Sequence, residues 1–209
     1  MNVLAIITAR KNSKRLPNKN MLKLGNKPLV SWTIDFAKKI NIFENILMTT
    51  DDPNIVNISK KKNILAPWIR PKSLSKDKTS SFATVAHALK WYEKNYGKVD
   101  SVCLLQPTSP FRSKKNLLEA FKFFKKNNKS VLSVGHIKVK NPFNVKYLKN
   151  KFYNIYIPTG SFFFITPKEL YKYKNFINKN NNIFLVRNKK ENIDVNNIRD
   201  WNIAKRYIG

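Results

Sequence analysis

Four short, unbroken apolar runs, each followed by an amphipathic stretch, leave this chain few folds to choose from. Val3-Leu4-Ala5-Ile6-Ile7-Thr8 is the first. A run without polar alternation suits a strand covered on both faces, as in a parallel sheet. Ile46-Leu47-Met48-Thr49, Ser101-Val102-Cys103-Leu104-Leu105 and Ser130-Val131-Leu132-Ser133-Val134 repeat the pattern. Between them the period changes to that of a helix. Pro28 at a first helical position opens one to about Ile40, and Asp51-Asp52-Pro53 sets an acid cap before an N1 proline, starting another through about Lys61. Phe82, Val85, Ala86, Leu89 and Tyr92 share a face of a third, capped by Thr79, Ser80 or Ser81; Leu117, Leu118, Phe121 and Phe124 share a face of a fourth. This alternation predicts an α/β domain of three layers, with a mostly parallel sheet between helices and right-handed crossovers. Ligands in such sheets sit beyond the carboxyl ends of the strands.

The 209 residues suit a single domain, 1–209. Residues 136–160 break the pattern: Asn141-Pro142 reads as a turn between short apolar pieces around Val145 and Ile155, which predicts a short antiparallel excursion. Ser161 to Ile165 then reads as a strand, Thr166-Pro167-Lys168-Glu169 as a capping box, Ile183 to Val186 as a last strand, and a helix follows from about Asn197. No apolar run approaches a membrane span, and the opening residues lack a basic lead-in and a small-residue cleavage site. The expectation is a cytoplasmic protein with no membrane partner. One cysteine, Cys103, excludes an internal disulfide and reads as a small core residue.

A formal charge of +29 first suggests a polyanion partner, and a basic RNA-binding protein is the rival reading from another class. Yet lysine, asparagine and isoleucine, all encoded by A/T-rich codons, dominate the composition, and the lysines are scattered through every segment. A specific nucleic-acid partner is not expected. Arginine and carboxylate carry more information. Arg10, Arg15, Arg70 and Arg112 all fall in loops after apolar runs, and there are only 12 Asp and Glu.

The loop leaving the first strand is Ala9-Arg10-Lys11-Asn12-Ser13-Lys14-Arg15-Leu16-Pro17-Asn18-Lys19-Asn20. Its cations lie where an α/β sheet holds a polyphosphate. There is no Walker A sequence or glycine triplet, so side chains and main-chain amides of the loop must meet the phosphate charge. The bland alternative is a solvated basic loop.

The segment ARKNSKRLPNKN resembles the signature loop of the CMP-sialic acid synthetases (acylneuraminate cytidylyltransferases), whose usual form has two glycines where Lys11 and Asn12 stand. TTDDPNI (49–55), RPKSLSKDKTSS (70–81) and LLQPTSPFRS (104–113) match in order. The resemblance is firm over residues 1–135 and thin afterwards. It implies a nucleotide-diphosphosugar-transferase, Rossmann-like type of sheet and CTP with a sialic-acid-like nonulosonic acid as the substrate pair. In that reaction the sugar's anomeric hydroxyl attacks the α-phosphate, CMP is transferred and pyrophosphate leaves. Such transfer rests on positioning and on neutralising phosphate charge. The same fold with diverged or lost activity is the rival enzyme reading.

By resemblance, Lys19 and Arg10 are the catalytic, phosphate-binding pair, with Ser13, Lys14 and Asn20 supporting. Arg70, Ser80 and Ser81 read the cytosine, although Ser80 and Ser81 are equally helix caps. Gln106, Thr108 and Ser109 face the sugar. Arg112 is open to either the sugar carboxylate or the start of a helix. The family's Asp-Ile-Asp before the last helix, which holds Mg²⁺, stands here as Asp194-Val195-Asn196. Asp194 remains a ligand, and the uncharged amide of Asn196 is a weaker one. Asp200 reads as a helix-surface residue.

Asp51 and Asp52 read as caps, with one of them available to hold the first loop. The family's Asn-Gly-Ala stands here as Thr159-Gly160-Ser161, and its tyrosine as Phe163, without the hydroxyl. Residues 136–160, which in the family help form a homodimer and cover the partner's sugar site, are shortened. His87 lies opposite the apolar stripe of its helix and is expected in solvent; His136 sits at a strand end near the sugar region. Trp32, Trp68, Trp91 and Trp201 read as packing residues.

Overall fold

A computed structural model describes residues 1–140 and 152–208. The elements are β1 (Val3–Ala9), the short ribbon strands β2 (Lys23–Leu24) and β3 (Lys27–Pro28), α1 (Leu29–Lys38), β4 (Phe43–Thr50), α2 (Pro53–Lys61), α3 (Ser81–Tyr96) and β5 (Ser101–Leu105). They continue with α4 (Lys114–Asn127), β6 (Val131–Lys140), β7 (Phe152–Ile165), α5 (Pro167–Tyr173), β8 (Asn182–Leu185) and α6 (Ile198–Arg206). Among the described residues the main sheet has six strands in the order β4-β1-β5-β7-β6-β8. β1 pairs in parallel with β4 and β5, and β6 with β8, while β7 runs antiparallel between β5 and β6.

The unbroken apolar runs are explained by two cores. Val3, Ala5 and Ile7 of β1, Cys103 and Leu105 of β5, and Phe162 and Phe164 of β7 face α1, α2 and α4. Leu4, Ile6, Val102, Leu104, Phe163 and Ile165, the residues between them, face α3 and α5. Each strand therefore needs apolar side chains at every position, and each such side chain taken wholly out of water stabilises the fold by ~1.5–3 kcal/mol. A third, smaller cluster decides the position of the site. Leu16 of the first loop packs with Phe111, Ile193, Val195 and Trp201, which draws the loop after β1 and the segment before α6 to one place.

Several local expectations change with non-local partners. Pro28 is the N-cap residue of α1, not its first residue, because it is already paired with Lys23 in the β2–β3 ribbon. Thr166 caps α5 by accepting from the Glu169 amide, but the Glu169 carboxylate accepts from Ser130 N (3.0 Å) instead of closing the box. The expected strands at 130–134 and 161–165 are the ends of longer ones: from Val134↔Pro158 to Lys140↔Phe152 they form the antiparallel excursion. Asn141-Pro142 and Val145 lie outside the described residues. Where the register slips between Leu132 and Val134, Ser133 Oγ donates to Phe162 O (3.0 Å), and accepts from Phe162 N (3.1 Å) and Thr159 Oγ1 (2.8 Å). At this bulge Gly160 O accepts from the amide of Gln106, the residue after β5, at 3.1 Å. His87 is not in solvent: it is half-buried, its ring 5.3 Å from that of Trp68, which also packs on Trp91 at 4.9 Å. No described helix is long and apolar enough to cross a membrane.

Candidate active site

The carboxyl ends of β1 and β5 open into a cleft of about 560 Å³. Its walls include Arg10, Ser13, Lys14, Arg15, Lys19 and Asn20 from the first loop, Arg70 and Asp77 from the segment before α3, Ser81 at the start of α3, and Gln106, Thr108, Asp194 and Asn196. A second chamber of about 320 Å³ adjoins it, sharing Ser81, Gln106 and Asp194. Phe82, Phe163, Gly160 and Phe176 line that second space, with Lys174 the cation among its described lining residues. Cationic and mixed polar–apolar compartments thus meet at Gln106 and Asp194.

Lys19 enters the cleft because Asn18 takes a left-handed backbone (φ 50°), a conformation asparagine tolerates, and starts a 3-10 turn that buries Lys19 and Asn20. Lys19 Nζ donates to Val195 O at 2.8 Å. Burial lowers its pKa from the usual 10.5 to about 8; Arg15 and Arg10 push the same way, while Asp194 and Asp200 oppose. Asn20 Nδ2 donates to Arg10 O (2.9 Å), which supports the loop and leaves Arg10's guanidinium to the cleft mouth. Asp51 holds the loop from the other side, accepting from Lys11 N at 2.8 Å, and Asp52 caps α2 through Asn54 N.

Arg70 is 4% exposed and both structural and accessible. Its Nε donates to Ser75 Oγ (3.2 Å) and its Nη2 to Ala9 O (3.3 Å) and Asp51 (3.4 Å), while its Nη1 has no hydrogen bond among the described residues. Burial lowers its pKa, with Asp51 opposing. Ser80 is the cap of α3, accepting from Ala83 N at 3.1 Å, and lines only the smaller chamber; Ser81 lines both. The base-reading role implied for Ser80 therefore gives way to capping and to the neighbouring space.

Gln106 and Thr108 line the cleft, but Ser109 lines neither chamber: it is fully buried, its hydroxyl 3.5 Å from Asp194 Oδ1, so it backs the carboxylate instead of facing a sugar. Arg112 is likewise not available to a sugar carboxylate. Its Nε donates to Ser161 O (2.6 Å), Nη1 to Thr33 Oγ1 (2.8 Å) and Nη2 to Gly160 O (3.1 Å) and Gln106 O. Burial pushes its pKa down to about 9, which still leaves it protonated at neutral pH. It staples the Gln106 loop to the β7 bulge. A Cβ on Gly160 would lie 2.7 Å from Gln106 Oε1 and 2.9 Å from Ser109 Oγ. Gly160→Ala is therefore expected to displace Gln106 from the junction and slow turnover roughly ten- to a hundredfold, with the melting temperature nearly kept; full activity would show that Gln106 has room to spare.

Asp194 reaches the junction because Val195 N donates to Thr108 O at 2.7 Å, tying the segment to the loop after β5. Asn196 does not present its oxygen beside Asp194. Its Nδ2 donates to Asp194 Oδ2 at 2.6 Å, and its Oδ1 accepts from Arg15 Nη2 at 3.3 Å. In this arrangement Asn196 positions the Asp194 carboxylate and is itself held by Arg15. Asp200 accepts from the amides of Asn196 and Asn197 and closes a capping box on α6. His136 is exposed on β6, its ring 6.5 Å from that of Tyr156, and lines neither chamber. Asp77 and Lys174 were not singled out by sequence reasoning; an acid between two lysines in the 70–81 match was the available signal for the first.

Known proteins resemble the chain in sequence and in fold. Residues 4–207 match the family model described as Cytidylyltransferase. A CMP-N,N'-diacetyllegionaminic acid synthase of Legionella pneumophila is 31% identical over all of this chain and 97% of its own length. A pseudaminic acid cytidylyltransferase of Campylobacter jejuni is 30% identical over 98% of this chain and 95% of its own. In fold, a CMP:2-keto-3-deoxy-manno-octonic acid synthetase complexed with CTP superposes with a TM-score of 0.74 at 15% identity, covering 100% of this chain and 98% of that one. With residues 4–207 matched by the family model and nearly all of the chain by curated relatives, the chain belongs to the cytidylyltransferase family of nucleotidyltransferases.

Proposed function

We propose that the protein transfers CMP from CTP to the anomeric hydroxyl of a nonulosonic acid and releases pyrophosphate. The junction of two chambers at Gln106 and Asp194 supports this reading most directly. The larger chamber offers Arg10, Lys14, Arg15 and Lys19 to a triphosphate, and Arg70 Nη1 with Ser81 to the base. The smaller chamber offers Lys174 to a sugar carboxylate, and Gln106 to its hydroxyls. A sugar hydroxyl and an α-phosphate brought together there are held for in-line attack, and the loop cations take up the charge that builds on the leaving pyrophosphate.

Mg²⁺ fits the donors as an ion held mainly by the substrate. No group of three His, Cys, Asp or Glu side chains suited to a metal exists among the described residues, and Asp194 is the one carboxylate at the junction. Mg²⁺ is commonly held by one or two carboxylates with phosphates and waters, and when bound it supplies neutralisation of phosphate charge. Asn196→Asp would set a second carboxylate beside Asp194 within reach of Arg15. Mg²⁺ titration of the CTP complex is expected to shift to roughly five- to tenfold lower concentration, the size of one added Coulomb contact of ~1 kcal/mol; an unchanged midpoint would exclude position 196 from the metal's surroundings.

The exposed Ile137, Ile155 and Ile157 on the β6–β7 ribbon support a second copy of the chain as partner, which sedimentation tests as a dimer. For the nucleotide, CTP with Mg²⁺ is expected to raise the melting temperature more than ATP or GTP does. An equal response to all three would overturn the assignment to cytidine.

A further inference from the structure

Asp77 stands between the phosphate cations without a role in the steps above. It lies on the loop leading to α3, and its carboxylate reaches across the cleft mouth to the loop after β1. Oδ1 pairs with Arg10 Nη1 at 2.5 Å and Oδ2 with Lys14 Nζ at 2.8 Å. Each oxygen thus holds a different cation of the set assigned to the triphosphate. The Lys14 hydrogen bond, with Arg10 adding to it, holds the carboxyl below the usual carboxylate range, so it is charged at neutral pH.

A triphosphate that reaches Arg10 and Lys14 competes with this carboxylate for their charge and for the N–H groups it now holds. An anion that stayed would repel the phosphates. The pairs are also easily surrendered: the side chains of Arg10 and Asp77 are each 34% exposed and that of Lys14 is 81% exposed, and exposed pairs are weak and screened by salt. On the CTP reading, we propose that Asp77 is a displaceable counter-ion: it positions Arg10 and Lys14 across the mouth, cedes them to the phosphates of the incoming nucleotide, and reclaims them as pyrophosphate leaves. Its consequence is a triphosphate affinity lower than the loop's charge alone would give, which keeps a strongly basic site from being trapped by its product.

Calorimetry on the full chain tests this with CTP, tripolyphosphate and cytidine at low and high salt, using Asp77→Asn and Asp77→Glu. Asp77→Asn is expected to bind CTP and tripolyphosphate roughly three- to tenfold tighter, with cytidine affinity unchanged and the gain shrinking at high salt; Asp77→Glu should behave as the wild type. A purely structural role would weaken all three ligands in Asp77→Asn, and would overturn the proposal. If the wild type binds CTP and Asp77→Asn binds it no tighter, the counter-ion role fails while the CTP reading stands. If neither protein binds CTP but Asp77→Asn still gains for tripolyphosphate, the exchange stands and the CTP reading fails.

Discussion

Lys19→Ala is expected to lower the rate of pyrophosphate release by roughly two to three orders of magnitude, the usual effect of removing one preorganised charge from a transition state. Lys19 is 8% exposed, so its charge acts through little intervening water. Its Nζ is anchored on Val195 O, next to Asp194, and so sits where charge on the leaving group must be met. Lys19→Arg, which keeps charge without the compact ammonium, should recover only part of the rate. Initial rates with a parallel melting curve check this, since the lost contact also strands the Val195 carbonyl. The lowered pKa adds a pH signature. In the folded protein Lys19 loses its proton near pH 8, whereas unfolded lysine holds it to about 10.5. Between those values the native state binds fewer protons, so this residue's contribution to stability rises with pH through that window, and its burial penalty is full below it. Triphosphate affinity should fall over the same window, because the ammonium is the form that binds. Opposite slopes for stability and affinity, both flattened in Lys19→Ala, are the expected result; parallel slopes would assign the titration to another group.

Asp194→Asn is the second large effect. Asp194 belongs to both chambers, and its Oδ2 is oriented by Asn196, which Arg15 holds in turn. Neutralising it removes the carboxylate proposed to hold the metal against the triphosphate and sets two amides side by side. Turnover at saturating CTP should fall roughly a hundredfold, with the Mg²⁺ requirement displaced to higher concentration. CTP affinity measured without metal should hold or improve, because an anion beside the phosphates is gone. Unchanged rates and an unchanged metal requirement would contradict the ligand role.

What could be read in the sequence follows from which interactions are local. β5 was legible to the residue because Ser101 to Leu105 is buried at every position, and α2 because Asp52 and Pro53 start a helix whatever surrounds them. The loop cations were legible because a parallel sheet has only one end at which ligands gather. The roles that changed depend on partners far away in the chain. Lys19 meets Val195 across 176 positions and Arg112 meets Ser161 across 49, and neither separation leaves a periodic trace. Glu169 abandons its own helix end for Ser130, and His87 leaves solvent because Trp68 arrives beside it. Ser109 follows the same logic: a polar residue after a strand reads as a site residue until Asp194 is seen above it.

The direct measurement is pyrophosphate release with CTP, ATP or GTP as nucleotide and a panel of neuraminic, legionaminic and pseudaminic acids as acceptor. The expected result is release that needs CTP together with one of these sugars and is nearly abolished in Lys19→Ala. Release equally supported by ATP, or absent with every acceptor while the protein remains folded, would contradict a cytidylyltransferase acting at the junction of the two chambers.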